Sequence, residues 1–202
     1  MIPETHTTLA DDLKAAAPLV EAVQALSSAG TLHEVIAITL RVARRATRGD
    51  GVTFVLREGD ECHYVGEDAI APLWKGMRFP MAACVTGWSI HHRTALAIPD
   101  VAGDPRVPEE VHRLTFVRSL AVVPIRSSEP VGAIGVYWGC PGPVAQETIH
   151  WLQALADVVG AVLDAIQARS EAERLSEMED AASGAETRPE VVRMCAWTRR
   201  VQ

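Results

Sequence analysis

The chain has no basic surplus. Its formal net charge is -7 and its pI about 5.5, so it carries no cationic footprint for nucleic acid or an anionic membrane. It has no uninterrupted apolar run of the ~18–20 residues that span a bilayer. Its first residues, MIPETHTTLADD, show no basic-then-apolar leader pattern. A cytoplasmic protein with no nucleic-acid or membrane partner is expected. The four cysteines, Cys62, Cys84, Cys140 and Cys195, are scattered without a CxxC pair, so reduced, mostly buried thiols are expected and no metal site. Cys62 and His63 are adjacent, and neighbours on a strand point to opposite faces. Walker-type and dinucleotide-binding glycine patterns, a kinase motif, internal repeats and low-complexity tracts are all missing.

What remains is the composition of a folded protein. The 202 residues are 48% hydrophobic and 22% charged, enough for one domain of ordinary size and an extension. The organising stretch is FVRSLAVVPIRSSEPVGAIGVYW, from Phe116 to Trp138. Two short, β-branched apolar runs flank the polar turn from Arg126 to Pro130, which reads as a hairpin of central strands. So few polar positions require helices on both faces.

The rest of the chain supplies them. Leu13, Ala16, Ala17, Val20, Val23 and Leu26 mark a helix from Leu9 to Ser28, with Pro18 inside it and Gly30 as a left-handed cap. Thr31 and Glu34 form a capping box for a second helix, which closes in the basic stretch Arg41, Arg44, Arg45 and Arg48, placed to complement the helix dipole. Strands are expected from Gly51 to Arg57 and Glu61 to Gly66, with an edge strand from Lys75 to Phe79. A short helix is expected over Ala82 to His92, a strand over Ala95 to Pro99 and one helical turn over Val111 to Thr115. Gly132 and Gly135 are read as permitting close packing of a helix on the hairpin. A long helix starts near Val144 and runs to about Ala181; beyond Ile166 it turns highly charged, with Leu175 and Met178 alone continuing the apolar stripe. Such a helix usually packs on a partner helix.

The segments FPMAACVTGWSIHHRTALAIPDVAGDPRVP and FVRSLAVVPIRSSEPVGAIGVYW resemble a GAF domain of the type found in bacterial sensor histidine kinases and related signalling proteins. The resemblance implies an α+β fold: a central six-stranded antiparallel sheet, helices on both faces, and a pocket roofed between about Cys84 and Thr115. It divides the chain into an N-terminal helix (1–30), a sensor domain (31–167), a signalling helix extension (168–185) and a tail (186–202). In that tail, Met194 to Val201 resemble a CxWC-type motif with Thr198 where the second cysteine would stand.

The resemblance sets the ligand-binding candidates as Cys84, Trp88, His91, Asp100, Arg106, Phe116 and Arg118, with no catalytic set and no metal ligands. Trp88 reads as a packing anchor for the lid, or as a stacking surface for ligand. His91 and His92 are adjacent, so only one can face a pocket. Asp100 and Arg106 either reach a ligand or pair locally, and Arg118 offers bidentate donors at the rim or a salt bridge to Asp100 or Asp104. The expected function is a small-molecule sensor that relays its state through a homodimeric C-terminal helix to a histidine kinase or other signalling partner. Its cofactor is unknown and it is not expected to be an enzyme. The alternatives are a thiol-dependent reductase of free methionine sulfoxide using Cys84, and a ligand-free dimerisation adaptor.

Overall fold

The computed structural model describes residues 9–186; the CxWC-like tail lies outside them. The chain divides into a unit of residues 1–166 and a second of residues 167–202. The first unit holds helices α1 (Leu9–Ser27) and α2 (Leu32–Thr47), then strands β1 (Gly51–Glu58), β2 (Glu61–Ala69) and β3 (Arg78–Pro80). A 3₁₀ turn (Met81–Ala83) leads into α3 (Val85–His92) and β4 (Leu96–Ile98); a second such turn (Val101–Gly103) and α4 (Glu109–Leu114) lead to β5 (Ser119–Ile125) and β6 (Gly132–Trp138). Helix α5 (Gln146–Glu186) follows, longer at its end than the charge pattern suggested.

The six strands form one sheet in the order β3-β2-β1-β6-β5-β4, each pair antiparallel. Every residue of β5 is buried, as a central strand covered on both faces requires. Period-two alternation splits the core accordingly. Val52, Phe54, Ala121, Val123, Ile125, Ile134 and Val136 pack with Leu26, Val35, Leu40, Leu152, Leu155 and Val159 from α1, α2 and α5. On the opposite face Val55, Cys62, Tyr64, Leu120, Val122, Ala133 and Tyr137 meet Val85 and Ile90 of α3 and Val101, Val107 and Val117 of the loops. By length and composition α5 could cross a membrane, yet its Ile149, Leu152, Leu155, Ala156 and Val159 are spent on the sheet.

The capping box at α2 forms as expected: Glu34 N–H donates to Thr31 Oγ1 (3.3 Å) and Thr31 N–H to Glu34 Oε2 (3.1 Å). Gly30 departs from expectation. It is not in the left-handed region, where the glycines are Gly59 and Gly76; its N–H instead joins the box by donating to Glu34 Oε2 at 2.8 Å. Pro18 sits within a continuous α1. Of the basic stretch, Arg44 pairs with Asp68 of β2, and Arg48 takes the left-handed cap position at φ 52°. The two hairpin glycines also differ from their reading. A Cβ on Gly132 would strike the Val55 carbonyl and one on Gly135 would strike Tyr137 Oη and Thr53 Oγ1, so they admit neighbouring strand atoms and not a helix.

In the second unit, Leu175 and Met178 are exposed.

Candidate functional site

The face of the sheet away from α5 carries a cavity of about 610 Å³, within the range of small-molecule sites. Its floor is Tyr64 of β2, Leu120 and Val122 of β5, and Tyr137 of β6; its roof comes from Cys84, Val85 and Thr86 at the start of α3, and its mouth from Val111, Leu114 and Thr115 around α4. Pro72, Leu73, Trp74, Met77 and Phe79 complete one side. Among the described residues, this lining holds no Asp, Glu, Lys, Arg or His.

Local structure holds each wall in place. Glu67 on β2 accepts N–H bonds from Trp74 and Lys75, both at 2.9 Å, and from Leu73 at 3.3 Å. One carboxylate thereby fixes the loop that presents the Trp74 ring. Trp74 lies edge-on to Tyr64 (5.6 Å between centroids) and Tyr137 (5.3 Å), and Phe79 lies edge-on to Tyr64 (5.4 Å). Edge-to-face geometry at this spacing is the favoured one for aromatic pairs. The two tyrosine hydroxyls bond to threonines, Tyr64 with Thr86 Oγ1 and Tyr137 with Thr53 Oγ1, each at 2.9 Å. Burial pushes both phenols up from their ordinary pKa, so they stay neutral. The roof is seated by Gly87, whose missing side chain lets α3 lie against the backbone of Met81.

Cys84 is the N-cap of α3, its Sγ accepting the Gly87 N–H at 3.3 Å. Cys84 packs against the cluster that holds the wholly buried Cys62, and the influence of that neighbouring thiol is the largest reason that Cys84 titrates low, at about 7. The Gly87 and Thr86 N–H groups and the Tyr64 hydroxyl add to it, against the cost of burial. Cys62 moves the opposite way, up, first through Cys84 and then through burial. Cys84 is thus the thiol of the pair that gives up its proton more readily.

Of the seven residues singled out in the sequence, Cys84 lines the cavity; the other six are absent from its lining. Trp88 is half-buried on α3, with His92 stacked on it (4.1 Å) and Arg106 over its ring (5.2 Å). His91 is exposed on α3, its ring edge-on to that of His92 at 5.0 Å. Asp100 accepts the Ala102 N–H at 3.0 Å and opens a 3₁₀ turn. Arg106 pairs with Asp104 (2.5 and 2.8 Å), which holds that carboxyl below its usual range. Phe116 packs on the second core cluster, its ring against Gly51. Arg118 donates to the carbonyls of Thr115 (3.0 Å) and Val117 (2.8 Å), stitching the turn from α4 into β5. Sequence reasoning missed Tyr64, Trp74 and Tyr137; the signal available was that the chain's two tyrosines both fall inside strands.

Residues 31–163 match the family model described as the GAF domain. No curated protein matches the chain. Among solved structures, the GAF domain of an Acinetobacter phosphoenolpyruvate-protein phosphotransferase is similar at TM-score 0.68 and 15% identity, over 78% of this chain and 98% of that one. The free methionine-R-sulfoxide reductase of Neisseria meningitidis, solved with its substrate, is similar at TM-score 0.67 and 20% identity, over 77% and 93%. The chromophore-binding domain of an R. palustris bacteriophytochrome is similar at TM-score 0.67 and 16% identity, over 83% of this chain and 65% of that one. At these identities the likeness is one of fold.

Proposed function

The chain belongs to the GAF domain family, and from that premise we propose that it is a non-enzymatic, cytoplasmic sensor module for an uncharged, largely apolar small molecule. The observation that carries this reading is the cavity of about 610 Å³ walled by Tyr64, Trp74, Phe79 and Tyr137, with no Asp, Glu, Lys, Arg or His in its described lining. A charge brought into such a place without a partner costs several kcal/mol. A flat apolar ligand meets ring faces and edges, and the Cys84 sulfur and the Tyr64 and Thr86 hydroxyls give it a few polar contacts.

The output is proposed to pass to α5. Ligand bound under α3 favours one packing of the sheet on which α5 lies, and the stretch bearing exposed Leu175 and Met178 forms the dimer that reports it to a histidine kinase or similar partner. Light scattering on the chain with and without residues after Arg169 tests this part: a dimer that becomes a monomer on truncation is expected, and an unchanged mass would remove the helix from the argument.

The ligand reading is tested with Nile red, a neutral dye of suitable size. Saturable fluorescence enhancement at one site per chain is expected, together with its loss in Ala83→Trp, which places an indole at the mouth from an exposed position. Unchanged binding in that variant would place the dye elsewhere and sink the assignment.

A second reading, reduction of free methionine sulfoxide, is favoured by one observation, the low-titrating Cys84 on the cavity wall. It is opposed by the lining, because a free amino acid is a zwitterion and needs both a cation and an anion to hold it.

A further inference from the structure

Beyond reversible binding, a pair of thiols stands at the cavity, Cys84 on its wall and Cys62 buried behind it. Cys62 and Tyr64 lie two residues apart on β2 and so project from the same face of the sheet, and both belong to the core cluster beneath α3. Cys84 and Thr86 stand two residues apart at the start of α3. The two pairs meet in parallel: Tyr64 Oη bonds Thr86 Oγ1 at 2.9 Å, and Cys84 packs against the buried cluster that holds Cys62. The chain path enforces this meeting. Cys62 is paired with Phe79 of β3, the Met81 N–H donates to the Asp60 carbonyl (2.8 Å), and the 3₁₀ turn then brings Cys84 back over β2. Cys84 opens to the cavity, whereas Cys62 lies wholly buried behind it.

We propose that Cys84 and Cys62 form a peroxide-reactive site whose substrates are apolar organic hydroperoxides, and whose product is a disulfide tying α3 to β2. In the first step the Cys84 thiolate attacks the terminal oxygen of ROOH. The S–O bond forms, the O–O bond breaks, and the departing alkoxide takes a proton from solvent and leaves as ROH. Cys84 is now a sulfenic acid, oxidised by two electrons at the expense of the peroxide. In the second step the Cys62 sulfur attacks that of Cys84; the S–O bond breaks, and the hydroxyl leaves with the Cys62 proton as water. The sum is ROOH plus two thiols giving a disulfide, ROH and water.

The order of events follows from the surroundings. Cys84 has the exposure and the N–H donors that make a thiolate, so it reacts first. Cys62 is wholly buried and lies outside the cavity lining, so it acts second, as the resolving thiol. The preference for an apolar R group rests on the ligand reading above, since the same largely apolar lining that admits the dye concentrates the peroxide. The bond would fix the roof of the cavity to its floor, so oxidation would register as altered dye binding.

The test uses the full chain with Cys140→Ser and Cys195→Ser, treated with cumene hydroperoxide or hydrogen peroxide and mapped by non-reducing peptide mass spectrometry. Expected are a Cys62–Cys84 linked peptide short of two hydrogens, several-fold faster formation with cumene hydroperoxide than with hydrogen peroxide, and loss of the rate difference in Ala83→Trp. In Cys62→Ser, Cys84 should accumulate as a sulfenic acid trapped by dimedone; in Cys84→Ser, no adduct should form at Cys62. Reduced Cys62 and Cys84 after excess peroxide, in protein that still binds Nile red, would overturn the thiol site and leave the ligand reading standing. A linked pair formed at equal rates by both peroxides would overturn the apolar preference.

Discussion

Phe54→Ala is expected to lower the stability of the domain by about 3–5 kcal/mol. Phe54 is fully buried at the middle of β1, paired with Gly66 of β2 on one side and Ile134 of β6 on the other. Its ring belongs to the cluster in which α1, α2 and α5 all close on the sheet. The site cannot collapse to fill the void, because its neighbours are already engaged. Ile36 and Leu40 of α2 press into the notch at Gly66, where a Cβ would stand 3.1 Å from Leu40 Cδ1. A loss of this size consumes a large share of the ~5–15 kcal/mol that holds a typical domain together. Urea denaturation followed by circular dichroism checks it. Ile70→Ala, at an exposed position just past β2, should stay within about 0.5 kcal/mol of the parent. Equal effects from the two substitutions would mean that the helical face is not the main core.

Gly87→Val should cost about 3 kcal/mol or more and should, in addition, abolish binding in the cavity. A Cβ at this position would stand 2.5 Å from Met81 Cα and closer still to the Met81 carbonyl oxygen. Neither side has room to yield. Met81 is held by its N–H bond to Asp60, and Pro80 just before it is registered against Glu61 on the sheet edge. Helix α3 must therefore lift, which breaks the Tyr64–Thr86 hydrogen bond and parts Cys84 from Cys62. The variant thus separates the two faces of the sheet. Nile red binding should vanish while the helical circular dichroism from α1, α2 and α5 persists. A Gly87→Val protein with parental stability and intact dye binding would show that the roof is not seated on Met81.

The fold was legible in the sequence because its central strands are extreme. A hairpin whose every position from Ser119 to Ile125 is buried leaves only one kind of architecture, helices on both faces. The capping box at Thr31 and Glu34 was equally legible, since its partners are three residues apart and need no tertiary contact. Features that depend on register were not. Gly132 and Gly135 looked like seats for a helix, yet what they admit is decided by the pairing of β6 with β1, which no local pattern reveals. The cavity was hidden for the same reason. Charged and histidine residues in the loop-rich middle drew attention by their chemistry, and Asp100, Asp104 and Arg106 spend it on each other and on backbone turns. The wall is made of Tyr64, Trp74, Val122 and Tyr137, ordinary core residues by composition, gathered from four separate segments. Cys62 and Cys84 are 22 residues apart, and only the pairing of β2 with β3 brings them together.

The central claim is that the cavity selects for absence of charge. Its most direct measurement is displacement of Nile red by two competitors of matched shape, 2-acetonaphthone and 2-naphthoate, at neutral pH. The neutral ketone is expected to displace the dye at least about tenfold more strongly than the carboxylate, a difference of about 1.4 kcal/mol, and to lose that effect in Ala83→Trp. Equal displacement, or preference for the carboxylate, would reveal a cation in the site and contradict the account.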